Sequence, residues 1–215
     1  MGRKCMTSDE QVMVVPSDYL KSLGLEDGLM MKEADYAPII RSILYGGRTS
    51  FRNRKEVEKD ESFKQIIPYV VFTTKDQVFT YVRGNQSTEA RLRGHRAIGV
   101  GGHVNKMDTS THFIQGDYFY RAYFNGMYRE IEEEVVVKST SVYENTIRGL
   151  IYADRTEVGR VHVGILHHAT SFDTIKPRNH EITDVRFMSV DEIRYEANAI
   201  DDWGKLCIPF LVEVI

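Results

Sequence analysis

One segment limits the possible folds more than any other. From Phe119 to Val137 the apolar residues follow a helical period: Phe119, Tyr123, Met127, Ile131 and Val135 recur every fourth position and form one stripe. On a different face Glu130, Glu133 and Glu134 fall at i, i+3 and i+4, so their carboxylates converge. Arg129, four residues before Glu133, is placed to brace that carboxylate as a helical ion pair. Clustered carboxylates repel one another, and without a counter-charge one of them should hold its proton. A hard divalent cation bound by oxygen ligands supplies that charge. A solvated acidic face is the alternative that periodicity alone leaves open.

The chain has 215 residues, 42% of them hydrophobic and 27% charged, enough for one domain with an extension and a core that needs no staples. Its formal net charge of −3 gives no electrostatic reason to expect a nucleic acid or an anionic membrane as partner. Cys5 and Cys207 are the only cysteines and show no metal-binding spacing, which points to a reducing, cytoplasmic setting. No run approaches the length of a membrane span.

Residues 1–64 read as an N-terminal helical extension. Val12–Val15 is a short apolar run ended by Pro16, followed by a short helix to Leu23 and a second helix over Ala37–Tyr45. The charged stretch Arg48–Lys64 reads as a solvated linker; the alternative brings Arg48, Arg52 and Arg54 to an anionic substrate. From Gln65 the texture is β. Ile66–Thr73 and Gln77–Arg83 flank a turn signal at Thr74-Lys75-Asp76. Arg91, Arg93, His95 and Arg96 form a basic cluster, and Ala97–Val104 is a strand whose glycines suggest close approach by a ligand or another chain. Asp117 is the expected N-cap of the long helix. Strands over Thr146–Ala153, Arg160–Thr170 and Asp184–Met188 follow, then helices over Val190–Ala197 and Gly204–Val214.

A strand, Gly-Gly, then a helix bearing Arg129-Glu130-Ile131-Glu132-Glu133-Glu134 resembles the Nudix (MutT-like) hydrolases. Their signature is a glycine, five residues, a glutamate, seven residues, and then Arg-Glu-U-x-Glu-Glu-x-Gly-U, where U is bulky and apolar. The resemblance runs from about Gln65 to Phe210. This sequence departs from the signature in the middle: 26 residues separate Gly102 from Arg129, an insertion of about 13. Eight residues before Arg129, where a glutamate is expected, stands Arg121; Asp117 lies one further helical turn back. Val136 replaces the glycine that ends the helix, so the helix should exit differently.

The resemblance implies an α/β/α sandwich around a mixed sheet in residues 65–215. It also implies Mg²⁺- or Mn²⁺-assisted hydrolysis of a diphosphate in a small, nucleotide-linked substrate. By carry-over, Glu130, Glu133 and Glu134 hold the metals together with the main-chain carbonyl of Gly101, and Arg129 orients the carboxylates. Glu181 is the first candidate for a late acidic residue acting as ligand or base, and Glu157 the second. His103, directly after Gly-Gly, is a candidate for substrate contact, as are Arg93 and Arg96. His162 reads as a core or groove histidine, and His167 and His168 point to opposite faces of their strand. A non-catalytic nucleotide-binding regulator and an isoprenoid diphosphate isomerase are the rival readings. A homodimer is left open.

Overall fold

A computed structural model describes residues 10–84, 92, 94–109, 118–137, 146–171, 175–178 and 182–215. In chain order the elements are β1 (Gln11–Pro16), α1 (Ser17–Ser22), β2 (Gly28–Met30), α2 (Glu33–Tyr45), β3 (Ser50–Asn53), α3 (Arg54–Val57), β4 (Phe63–Thr74) and β5 (Gln77–Arg83). Then come β6 (Arg96–Ala97), β7 (Gly99–Val100), α4 (Tyr118–Glu134), β8 (Val135–Val136), β9 (Ile147–Tyr152), β10 (His162–Thr170) and β11 (Lys176–Pro177). The chain closes with β12 (Ile182–Met188), α5 (Val190–Tyr195) and α6 (Asp202–Val214).

Among the described residues a mixed ten-stranded sheet carries the fold, with a central order β12-β5-β4-β10-β9-β2. Its long middle strand β4 runs parallel to β10, with Gln65 opposite His162 and Thr73 opposite Thr170. Side chains of β4 alternate between two cores, as a strand covered on both faces must. Ile66, Val70 and Phe72 pack with α2 and with Ala122, Tyr123, Met127, Ile131 and Val135 of α4. Ile67, Tyr69 and Val71 pack with Ile193 of α5 and with Trp203, Cys207, Phe210 and Leu211 of α6. The result is the expected α/β/α sandwich. The apolar stripe of α4 lies where its period put it; burying Tyr123, Met127 and Ile131 contributes on the order of 2 kcal/mol each.

The first 64 residues add helices α1 to α3, and their strands join the same sheet: β1 pairs with β4, and β2 with β9. Arg48–Lys64 is not a linker. It forms β3, which pairs with β1, and α3, which carries the buried Arg54. Arg52 lies over the ring of Phe63, 4.0 Å from its centroid, and Arg48 faces Tyr19. The turn between β4 and β5 is tight, with Lys75 in the left-handed region (φ 52°). The expected strand Ala97–Val104 is broken at Ile98: β6 pairs with β5, and β7 crosses to β4. After α4 the chain passes directly into β8, which pairs with β11, so Val136 sits in extended backbone and no glycine is needed at the exit.

Candidate active site

The site is built where the end of β7 meets the last turns of α4. The glycine pair after β7 is there for its missing side chains. A Cβ on Gly102 would lie 2.4 Å from Cδ of Glu130, so the carboxylate of Glu130 occupies the space that any other residue would fill. The close approach expected of these glycines therefore comes from within the chain: Glu130 at Gly102, the Pro68 carbonyl at Gly101 and the Tyr69 ring at Gly99. Glu130 and Glu134 are 4% and 8% exposed, low values for carboxylates. Both line a pocket together with Gly101, Gly102 and His103.

Arg129 holds this end of the helix in register. Its Nε donates to Asp108 Oδ1 (2.7 Å), and its Nη2 donates to Asp108 Oδ2 (2.8 Å) and to the His103 carbonyl (2.9 Å). Its Nη1 donates to Glu130 Oε1 and lies 3.6 Å from Glu133 Oε1. Burial alone would pull the guanidinium down; Asp108 and Glu130 outweigh it and hold the pKa above its ordinary value.

Asp108 is the residue that reading backward from Arg129 misses. It closes a short 3₁₀ turn, 106–108, where its Oδ2 also accepts from the Asn105 N–H (2.7 Å). The signal was present in the forward count: Asp108 stands six residues after Gly102, the signature's first acidic position. The insertion therefore lies between Asp108 and the Arg129 motif. Arg121, the expected position by backward count, faces solvent on α4.

The other candidates divide plainly. Glu133 is outside the pocket lining, its side chain 40% exposed beside Arg129. Arg96 does not reach the pocket, a correction to its expected role. It is 3% exposed, and its guanidinium donates to Thr80 Oγ1 and the Asp184 carbonyl (both 3.0 Å) and pairs with the Asp184 carboxylate. Arg91, Arg93, Asp117, Cys5 and Glu181 lie outside the described residues. Glu157 is exposed on the 153–161 loop, whose Thr156 and Val158 line the pocket. Lys64 anchors that loop from below, its buried ammonium donating to Asp154 (2.6 Å) and to the carbonyls of Gly159 and Arg160. His167 and His168 do face opposite cores. His167 lies between Tyr123 Oη (2.8 Å) and Thr146 Oγ1 (3.0 Å), while His168 meets Thr73 Oγ1 (2.9 Å) and the Phe210 ring.

Further pocket residues come from distant strands. Arg83, at the end of β5, lies over the Tyr81 ring, and its Nε is buried with no partner among the described residues. Burial lowers its pKa, but the acidic groups of Tyr81, Asp201 and Glu134 more than offset that, so Arg83 stays charged. Tyr69 and Trp203 meet edge to face across the pocket wall (centroids 5.6 Å apart). Their Oη and Nε1 atoms are likewise buried without partners among the described residues.

This chain can be superposed on the crystal structure of Tm1382, a candidate Nudix hydrolase, with a TM-score of 0.73. The match covers 96% of this chain and 100% of that one, at 28% sequence identity. The chain has the fold of the Nudix hydrolases. No protein-family model matches it. Protein YmaB of Bacillus subtilis (strain 168) is 29% identical over 213 residues, covering 94% of this chain and 98% of that protein. Nudix hydrolases generally use divalent metals, and the donor set here fits one. Two buried carboxylates stand over a glycine cradle, all with hard oxygen donors. No helix among the described residues is long and apolar enough to cross a membrane.

Proposed function

We propose that this chain is a Nudix hydrolase that cleaves the diphosphate bond of a small, nucleotide-containing substrate with the help of Mg²⁺ or Mn²⁺. The observation that carries the reading is the pair of buried carboxylates, Glu130 and Glu134, facing one pocket beside Gly101-Gly102 with the charged Arg83 in the same lining. Two carboxylates repel a diphosphate unless cations intervene, whereas Arg83 attracts it directly. Glu130 and Glu134 would hold the metal with the Gly101 carbonyl, and Glu133 would assist from the rim. A cation held there would polarise phosphoryl oxygens and make its bound water more acidic.

The remaining roles fall to the chain's own groups. Arg129, fixed by Asp108, keeps Glu130 oriented. The Tyr69 and Trp203 rings offer an aromatic wall for a nucleobase, and their unpartnered polar atoms offer donors to its edge. A carboxylate takes the proton of the attacking water as a phosphorus–oxygen bridge bond breaks, and Glu181 is the proposed group. The isomerase reading is disfavoured by Cys207, which is buried among the α6 core residues with its thiol pKa pushed up by that burial.

The test is a Mg²⁺ and Mn²⁺ screen followed by phosphorus NMR. It covers nucleoside triphosphates, nucleotide sugars, dinucleoside polyphosphates, ADP-ribose and NADH, with Glu134→Gln as control. Turnover should appear with one class and fall by about 10²-fold or more in the variant. Binding without turnover across the screen would instead favour the regulator.

A further inference from the structure

Outside the acidic helix, one cluster at the edge of the pocket has ligand chemistry of a different kind. Glu58 follows α3, His103 follows the glycine pair, and His162 opens β10, so three distant segments converge. The Nε2 atoms of His103 and His162 are 3.3 Å apart, and Glu58 Oε1 is 3.8 Å from His103 Nε2. One ligand atom from each residue lies within 4.8 Å of the other two. Both imidazoles line the pocket.

The second nitrogen of His162 decides its tautomer. Nδ1 lies 2.7 Å from the Val158 carbonyl, which can only accept, so Nδ1 carries the hydrogen and neutral His162 presents a lone pair at Nε2. A carbonyl behind a ligating imidazole is the usual way such a ring is oriented toward a metal. The spacing fits as well. Two nitrogens bound at about 2.0–2.1 Å to a tetrahedral zinc ion lie roughly 3.3 Å from each other. The rings meet at 62°, edge toward edge rather than stacked, as two ligands of one ion do.

Arg54 lies between Glu10 (3.2 Å) and Glu58 (3.5 Å), which holds the Glu58 carboxylate beside the two imidazoles. We propose that Glu58, His103 and His162 form a binding site for a zinc-class divalent cation on the wall of the pocket. Two imidazoles and one carboxylate select late first-row ions, whereas the all-oxygen set of Glu130 and Glu134 suits Mg²⁺ or Mn²⁺. With three protein ligands the ion keeps an open position for water or a phosphate oxygen. The site rests on its own residues and stands whether or not the chain is a hydrolase.

The experiment is a Co²⁺ titration of the full chain, stripped of metals by a chelator and held in excess Mg²⁺, followed by visible absorption. The expected result is a ligand-field band that saturates near one equivalent and is removed by competing Zn²⁺. His103→Gln and His162→Gln should each weaken Co²⁺ binding by about 100-fold or more, while Glu134→Gln keeps the band. Glu58→Gln, at a partly exposed position, should weaken binding too and serves if a histidine variant fails to fold, which circular dichroism reports. No band in the wild-type chain overturns the site and leaves a hydrogen bond from His103 to His162. A band that survives both histidine changes, or is lost in Glu134→Gln, overturns it as well.

Discussion

Arg129 and Asp108 form a two-pronged ion pair across 21 residues of chain, with bonds of 2.7 and 2.8 Å. Because Arg129 also reaches Glu130 and the His103 carbonyl, this pair sets where the helix end sits over the glycines. Asp108→Asn keeps the shape and removes the charge. We expect a loss of about 2 kcal/mol in urea unfolding, tempered by the partial exposure of Arg129. The catalytic rate should fall about 10-fold or more while KM changes little. An unchanged rate would make Asp108 a purely structural partner.

Gly126 tests the same contact from the helix side. Alanine inside a helix is normally favoured over glycine by about 1 kcal/mol. Here its Cβ would stand 2.8 Å from Asp108 Oδ2 and 3.1 Å from Val104 Cγ1. Gly126→Ala should therefore lower the thermal midpoint, by an overpacking cost of about 1–3 kcal/mol that outweighs the propensity gain. A rise in midpoint would show that Asp108 yields freely.

Gly102→Ala addresses the cradle. The added methyl would displace the Glu130 carboxylate at its Cδ, a flexible side-chain end, so the fold should survive. Mn²⁺ affinity, read by electron paramagnetic resonance, should drop about 10-fold or more while the unfolding midpoint moves little, since one oxygen ligand is misplaced. Equal affinity in both proteins would separate Glu130 from the metal.

His167 gives the fold an acid-sensitive point. Burial, with help from Arg148, lowers its pKa to about 3 in the folded chain, against about 6.5 when unfolded. The unfolded state therefore takes up the proton first. The stability from neutral His167 is complete above about pH 6.5 and is lost as pH falls toward 3, by up to about 1.4 kcal/mol per unit. His167→Gln should be less stable at pH 7.5 and lose less between pH 7.5 and 5 in urea titrations. Parallel losses in both proteins would assign the acid sensitivity elsewhere.

Much of this was legible without coordinates, wherever the signal is local. The stripe from Phe119 to Val135 and the alternation along β4 follow from helix and strand periods, which a few neighbouring residues are enough to set. Glu130 and Glu134 share a face for the same reason. Glu133, also close in sequence, turns to the rim, because a face of α4 becomes a site only where the glycine cradle covers it. Asp108 was within reach by counting forward from Gly102, but an inserted segment hid it from a count backward from Arg129.

The sequence by itself determined the acidic helix and the glycine pair before it, since each is a local pattern, and the sandwich followed from the resemblance to Nudix hydrolases that those residues carry. Tertiary structure alone decided that Arg96 is taken by Asp184 while Arg83 reaches the pocket, and that Arg54 belongs to the site rather than to a linker. It also decided that His162, in register with Gln65 on the parallel β4–β10 pair, comes to face His103 and Glu58. These convergences depend on strand order and register, which join residues far apart in the chain and leave no periodic trace at any one of them.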